Sequence, residues 1–187
     1  MAPAYMRPTR SFGKKLSIFI RKNPVSDLGA GIIILVVLVA IFAPIVSPYD
    51  PIEQPFERLQ GPSVQNLLGT DEFGRDVMSR IIHGARISLY VGLVSVILAL
   101  AAGVVLGLLA GYFGGVVDSA IMQVMDVLFA FPFIVLAIAI TGVLGPSLTN
   151  AMIAIAIVYV PRFARVVRAP ILSVMAEDYI LATRALG

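Results

Sequence analysis

The stretch ISLYVGLVSVILALAAGVVLGLLAG, residues 87–111, runs twenty-five residues without a charged side chain. About 20 predominantly apolar residues in a helix cross the hydrocarbon core of a bilayer, so this stretch reads as a transmembrane span. Its Ala99, Gly103, Gly107 and Gly111 recur every fourth residue, which puts a strip of small residues on one helix face. Lipid supplies no hydrophobic force between helices, and such a strip lets two backbones come close enough for dispersion to hold them. The strip predicts packing inside the chain's own bundle rather than a homodimer seam.

The remainder of the 187 residues agrees with a membrane origin. The chain is 59% hydrophobic and 13% charged, with a mean hydropathy of +0.96; soluble domains carry about 25% charged residues. Too few polar groups are present to cover a soluble globule. Cysteine is absent, which removes disulfides, thiolate metal sites and cysteine nucleophiles together. One histidine, His83, and no tryptophan leave little material for a metal site. No cofactor is expected.

Three further apolar runs complete an expected set of four spans. Leu28–Val46 is free of charge and closed by Pro44 and Pro48; it is too long and starts too late for a signal peptide. Residues 116–144 contain Pro132 and read as one long kinked helix, because two separate spans of about 16 and 12 residues would both be too short. Residues 147–166 form the fourth span, expected to end at the Pro161-Arg162 break. Ahead of the first, Phe12, Leu16, Phe19 and Ile20 share one face of a short amphipathic helix among basic residues. The domains follow: a basic tail over 1–27, the first span, a polar segment over 47–86, and a membrane domain over 87–187.

Charge sets the orientation. Residues 1–27 carry six cations against Asp27, and residues 162–187 carry Arg162, Arg165, Arg168 and Arg184 against Glu177 and Asp178. Cytoplasmic segments are the ones rich in Lys and Arg, so both ends are expected inside and residues 47–86 outside. These cations lie in separate clusters beside apolar spans, which speaks against nucleic acid as a partner. The lipid bilayer is the partner that composition names.

Two acids, Asp118 and Asp126, stand in apolar sequence. A buried carboxylate without a partner is costly in a membrane, so Asp126, the deeper one, is expected to face the bundle interior, a path or a basic partner, together with Pro132. Asp118 lies nearer the cytoplasmic end, where capping or pairing suffices. Asp71, Glu72 and Asp76 lack the alternation of a calcium loop, and Asp76 suits the N-cap of the helix that follows. No phosphate-binding loop, nucleophile elbow or zinc-protease helix is present. The expectation is transport rather than catalysis.

Gly69, Thr70, Asp71, Glu72, Phe73, Gly74, Arg75 and Asp76, followed by Gly84-Ala85-Arg86, carry a resemblance. So do Gly111-Tyr112-Phe113-Gly114-Gly115, Met125–Pro132 and Ala182–Gly187. Together they resemble the C-type permease subunit of the dipeptide, oligopeptide and nickel class of bacterial ABC importers, over nearly the whole chain. The resemblance implies an all-α polytopic bundle of the type I importer fold, with about six helices, of which four are expected in this chain. It implies as partners a second, B-type permease, two ABC ATPase subunits and an extracytoplasmic solute-binding protein.

In that family a Glu-Ala-Ala-x-x-x-Gly motif lies in the coupling helix that docks on the ATPase. Here the motif aligns with Leu181, Ala182, Thr183 and Gly187, so leucine stands in the place of the glutamate. Glu177, Asp178 and Tyr179 precede it and are candidates for the same contact. Gln123 stands where many relatives carry a basic residue near Asp118, which argues against an ion pair local to that helix. The sequence stops at Gly187, where the family fold continues for two more helices; a truncated product or partial sequence is the expectation. The alternative functions are a membrane anchor or assembly protein, or a non-functional fragment of the permease.

Overall fold

The computed structural model describes residues 24–186, and its regular elements there are helices, with one isolated antiparallel bridge between Thr70 and Asp76. The expected amphipathic helix around Phe12–Ile20 and the residue Gly187 lie outside the described residues. The chain divides into two compact units, residues 1–87 and residues 88–187.

In the first unit, α1 (Pro24–Ile41) is followed by the single turn α2 (Ala43–Val46), with Pro44 at its start. A polar loop then leads to α3 (Val77–Phe113). The loop is organised around buried polar groups rather than an apolar core. Asn66, Thr70, Asp76 and Ser79 are all buried. Asn66 Nδ2 donates to Asp76 Oδ1 (3.0 Å), and the Ser79 N–H and hydroxyl both donate to Asp76 Oδ2 (2.8 and 2.7 Å). Asp76 thus caps α3 and ties the loop to it at once, satisfying a donor that the first helical turn leaves free.

The second unit is built on α6 (Leu148–Met175), against which α4 (Gly115–Ala130) and α5 (Phe133–Leu144) pack. Gly114 and Gly115, at φ +61° and +50°, make the tight turn that reverses the chain between α3 and α4. Ala99 of α3, Met125 of α4 and Ala156, Val160 and Ala164 of α6 form the core. Ser147 Oγ accepts the Asn150 N–H (3.0 Å) at the start of α6, and Asn150 Nδ2 donates back to Leu144 O and Gly145 O (2.7 and 3.0 Å). The last helix, α7 (Asp178–Leu186), follows a turn at Ala176 and Glu177.

Three sequence expectations are corrected. Residues 116–144 are not one kinked helix: α4 and α5 meet at a 97° bend. The residue before a proline is driven out of the helical region; here Phe131 (ψ 139°) and Pro132 (ψ 128°) are both extended, and two such residues in a row end the helix. Pro132 is exposed at that bend rather than within a helix. The fourth helix passes through Pro161 instead of stopping there and continues through Pro170 to Met175. Pro161 is fully buried beside the core residues Val160 and Ala164, and packing holds the helix together across the missing hydrogen bond. The helix expected after the Asp76 cap does begin at Val77, and it runs unbroken through residues 87–111. By length and composition α3 and α6 can each cross a membrane, and the bent pair α4–α5 makes up to one more; α1 is apolar but shorter. The expectation of four full spans is reduced accordingly.

Candidate functional site

The small-residue strip lies against α6. A Cβ added at Gly103 would stand 2.5 Å from Phe163 Cβ and 3.0 Å from Ala164 N; at Gly107 it would stand 2.5 Å from Ala164 O, and at Gly111 2.8 Å from Ile171 Cβ. Ala99 is fully buried one turn earlier, and buried Ser95 continues the strip by a further turn that the glycine spacing did not reveal. The backbones of α3 and α6 therefore come close at three positions over about two turns, a separation that only hydrogen side chains permit.

Beside this seam, α4 and α6 exchange charge. Arg168 donates through Nε and Nη2 to the two carboxylate oxygens of Asp118. Arg165 donates through Nη2 to Asp126 and lies with its guanidinium 4.3 Å from the centre of the Phe129 ring. The bidentate Asp118 pair is the better sheltered, with the aspartate side chain 16% exposed against 66% for Asp126. Asp126 thus has a basic partner but sits on an open face of this chain. Sequence reasoning read Arg165 and Arg168 as orientation markers. The usable signal was that two intramembrane acids on one helix and two arginines on another offer matching charges.

In the polar loop, Gly69, Thr70, Asp71, Gly74, Arg75 and Asp76 come together. Gly69 and Gly74 adopt φ +75° and +78°, and a Cβ on either would collide with the backbone, at Gln60 O and at Phe56 O. The Thr70 hydroxyl donates to Glu57 O (2.7 Å) and accepts the Gln60 N–H (2.8 Å). Asp71 accepts the N–H groups of Phe73 and Arg75 (2.8 and 3.0 Å), the Arg75 guanidinium (2.8 Å) and Arg80. Desolvation raises the Asp71 carboxyl, but these backbone and guanidinium donors outweigh it and hold it well below the usual carboxylate range. For Asp76, desolvation again raises the carboxyl, and the donors from Asn66 and Ser79 overcome it. Asp71 and Asp76 are committed to closing turns and capping α3.

At the other end, Glu177, Asp178, Tyr179, Ala182 and Thr183 are exposed, and the Thr183 hydroxyl donates to Tyr179 O (2.7 Å). Leu181 falls within α7. This leaves an exposed short helix with acids at its start, directly after the long α6.

Comparison with known proteins decides the family. Residues 103–187 match the binding-protein-dependent transport system inner membrane component, and residues 17–62 match the N-terminal transmembrane domain of oligopeptide transport permease C. The chain is 49% identical over 169 residues to the dipeptide transport system permease protein of Alkalihalophilus pseudofirmus, an alignment covering 90% of this chain and 56% of that protein. It belongs to the binding-protein-dependent permeases. The di/tripeptide transport system permease protein of Pseudomonas aeruginosa is 47% identical (82% of this chain, 53% of the relative). The glutathione transport system permease protein of Pectobacterium atrosepticum is 41% identical (96% and 59%). The permease chain thus spans between about half and three-fifths of the length of these curated relatives. Family and apolar helices together make it a multi-pass inner-membrane protein.

Proposed function

We propose that this chain forms part of the transmembrane permease of an ATP-driven importer for peptides or related small solutes, contributing to the translocation path and docking ATPase subunits through α7. The observation that carries the reading is the similarity, at 41–49% identity over most of the chain, to three permeases named for dipeptides, di- and tripeptides, and glutathione. A B-type permease, two ATPases and an extracytoplasmic binding protein are the partners this reading requires, with the N-terminus cytoplasmic.

The geometry supports a surface turned to the path or to a partner. An Asp–Arg pair exposed on a membrane-embedded helix face is costly against lipid, so the face of Asp126, Arg165 and Phe129 belongs to water or to protein. In the assembled importer, Asp126→Asn should reduce dipeptide uptake several-fold, and Asp126→Leu should reduce it further because Arg165 is left unpaired. Uptake of labelled dipeptide at the wild-type rate in both variants would reject a path or interface role. Co-purification of ATPase subunits after Asp178→Ala and Tyr179→Ala tests α7: retention of the subunits with unchanged uptake would remove it as the docking element.

A further inference from the structure

Arg80, His83 and Ile87 recur at intervals of three and four along α3 and so share one helix face. That face borders a recess of about 500 Å³, lined also by Arg75, Arg86 and Ile52. Three arginines and a histidine thus line it. The carboxylate paired with them is Asp71, which Arg75 and Arg80 share. Asp50 lies outside the lining and accepts the Ile52 N–H (2.8 Å), and His83 Nδ1 lies 3.1 Å from Ser79 O. Arg86 is exposed and, among the described residues, forms no ion pair. The recess therefore carries surplus positive charge beside two exposed isoleucines, Ile52 and Ile87.

Its height along α3 identifies the ligand. Ile87 opens the charge-free run of residues 87–111, which sets Arg86 at the edge of the hydrocarbon. At 1.5 Å per residue, Arg80 stands about 9 Å further out. The headgroup layer is about 5–8 Å deep on each side of the bilayer, so the cations span it. We propose that this recess holds the phosphate of an anionic phospholipid, with Arg86 and Arg80 as its donors and with Ile52 and Ile87 against the glycerol and first methylenes. A free phosphate would use the same cations but gain nothing from the isoleucines. The inference depends neither on the transport reading nor on which leaflet the loop faces.

The test is native mass spectrometry of the 187-residue chain released from detergent and titrated separately with short-chain phosphatidylglycerol, phosphatidylcholine and inorganic phosphate. Phosphatidylglycerol should be retained about tenfold better than phosphatidylcholine, and Arg86→Gln should lower its retention about tenfold, the loss of one charge-assisted contact. Arg86→Lys should keep most of the retention, which separates lost charge from lost fold. Arg58→Gln, removing an exposed cation of the same loop outside the recess, should leave it unchanged. Four results would overturn the proposal: equal retention of the two lipids, no effect of Arg86→Gln, an equal loss with Arg58→Gln or Arg86→Lys, or inorganic phosphate bound as tightly as the lipid.

Discussion

Arg168 holds Asp118 with one donor to each carboxylate oxygen, across fifty residues of chain. A bidentate guanidinium–carboxylate pair fixes both distance and angle between its parents, so it sets the register of α4 on α6. The glycine strip does the same between α3 and α6. The long α6 is thereby the common reference for the elements of its unit.

The first prediction concerns that register. Asp118→Asn and Arg168→Gln should each lower the thermal midpoint of the detergent-solubilised protein by about 5 °C. The exchange of the two, D118R with R168D, should recover at least half of the loss, because the pair is remade in reverse. Additive losses in the double variant would show that the residues do not act on each other.

Gly107→Val tests the seam. The added side chain meets Ala164 O and Val167, and overpacking of this kind costs about 1–3 kcal/mol or displaces the helix. Gly92 has open space around its would-be Cβ, so Gly92→Ala should be neutral or stabilising by about 0.5–1 kcal/mol, as expected for an exposed helical glycine. Resistance to proteolysis should fall only for the first. Equal behaviour of the two variants would refute close approach at Gly107.

The polar loop should be acid-sensitive in a stated direction. Asp71 and Asp76 are held below their ordinary value of 3.8 in the folded loop. Protons therefore favour the unfolded loop, and the stabilisation is complete above that value and lost as pH falls through the folded one. Hydrogen-exchange protection of the Ser79 amide, corrected for the intrinsic rate, should be flat from about pH 7 to about pH 5 and drop below about pH 4. Protection that increased on acidification would contradict the assignment.

Single cysteines settle the orientation cleanly, since the chain has none of its own. Introduced at exposed Ser63, a cysteine should react with an impermeant thiol reagent in intact cells; at exposed Ser173 it should not. Reaction at both positions would mean that α4 and α5 enter and leave on one side, making the bent pair a re-entrant loop.

What the sequence made legible follows the physics of each feature. The apolar runs, the Asp76 cap and the face of Gly103 and Gly107 rest on composition and helical period, which are local. The pairing of Asp126 with Arg165 joins residues 39 apart, and no period in either helix announces it. The two prolines show the limit most sharply. Pro132 and Pro161 have the same local chemistry, yet the first ends its helix and the second, buried in the core, does not. Exposed Pro170 also lies inside α6, so neither the residue type nor its exposure alone announces which proline breaks a helix.

The bend at Phe131 and Pro132 leaves a mark in the hydration of the protein. The first backbone bond after it joins the Leu136 N–H to Pro132 O (3.0 Å), so the amides of Phe133, Ile134 and Val135 begin α5 without helical acceptors. At 1.5 Å per residue neither arm reaches the roughly 30 Å of the hydrocarbon core, so the elbow falls at depth. Exposed peptide groups are not tolerated against acyl chains. The elbow must be wet or sheathed in protein, an island of polar backbone inside an otherwise oily segment.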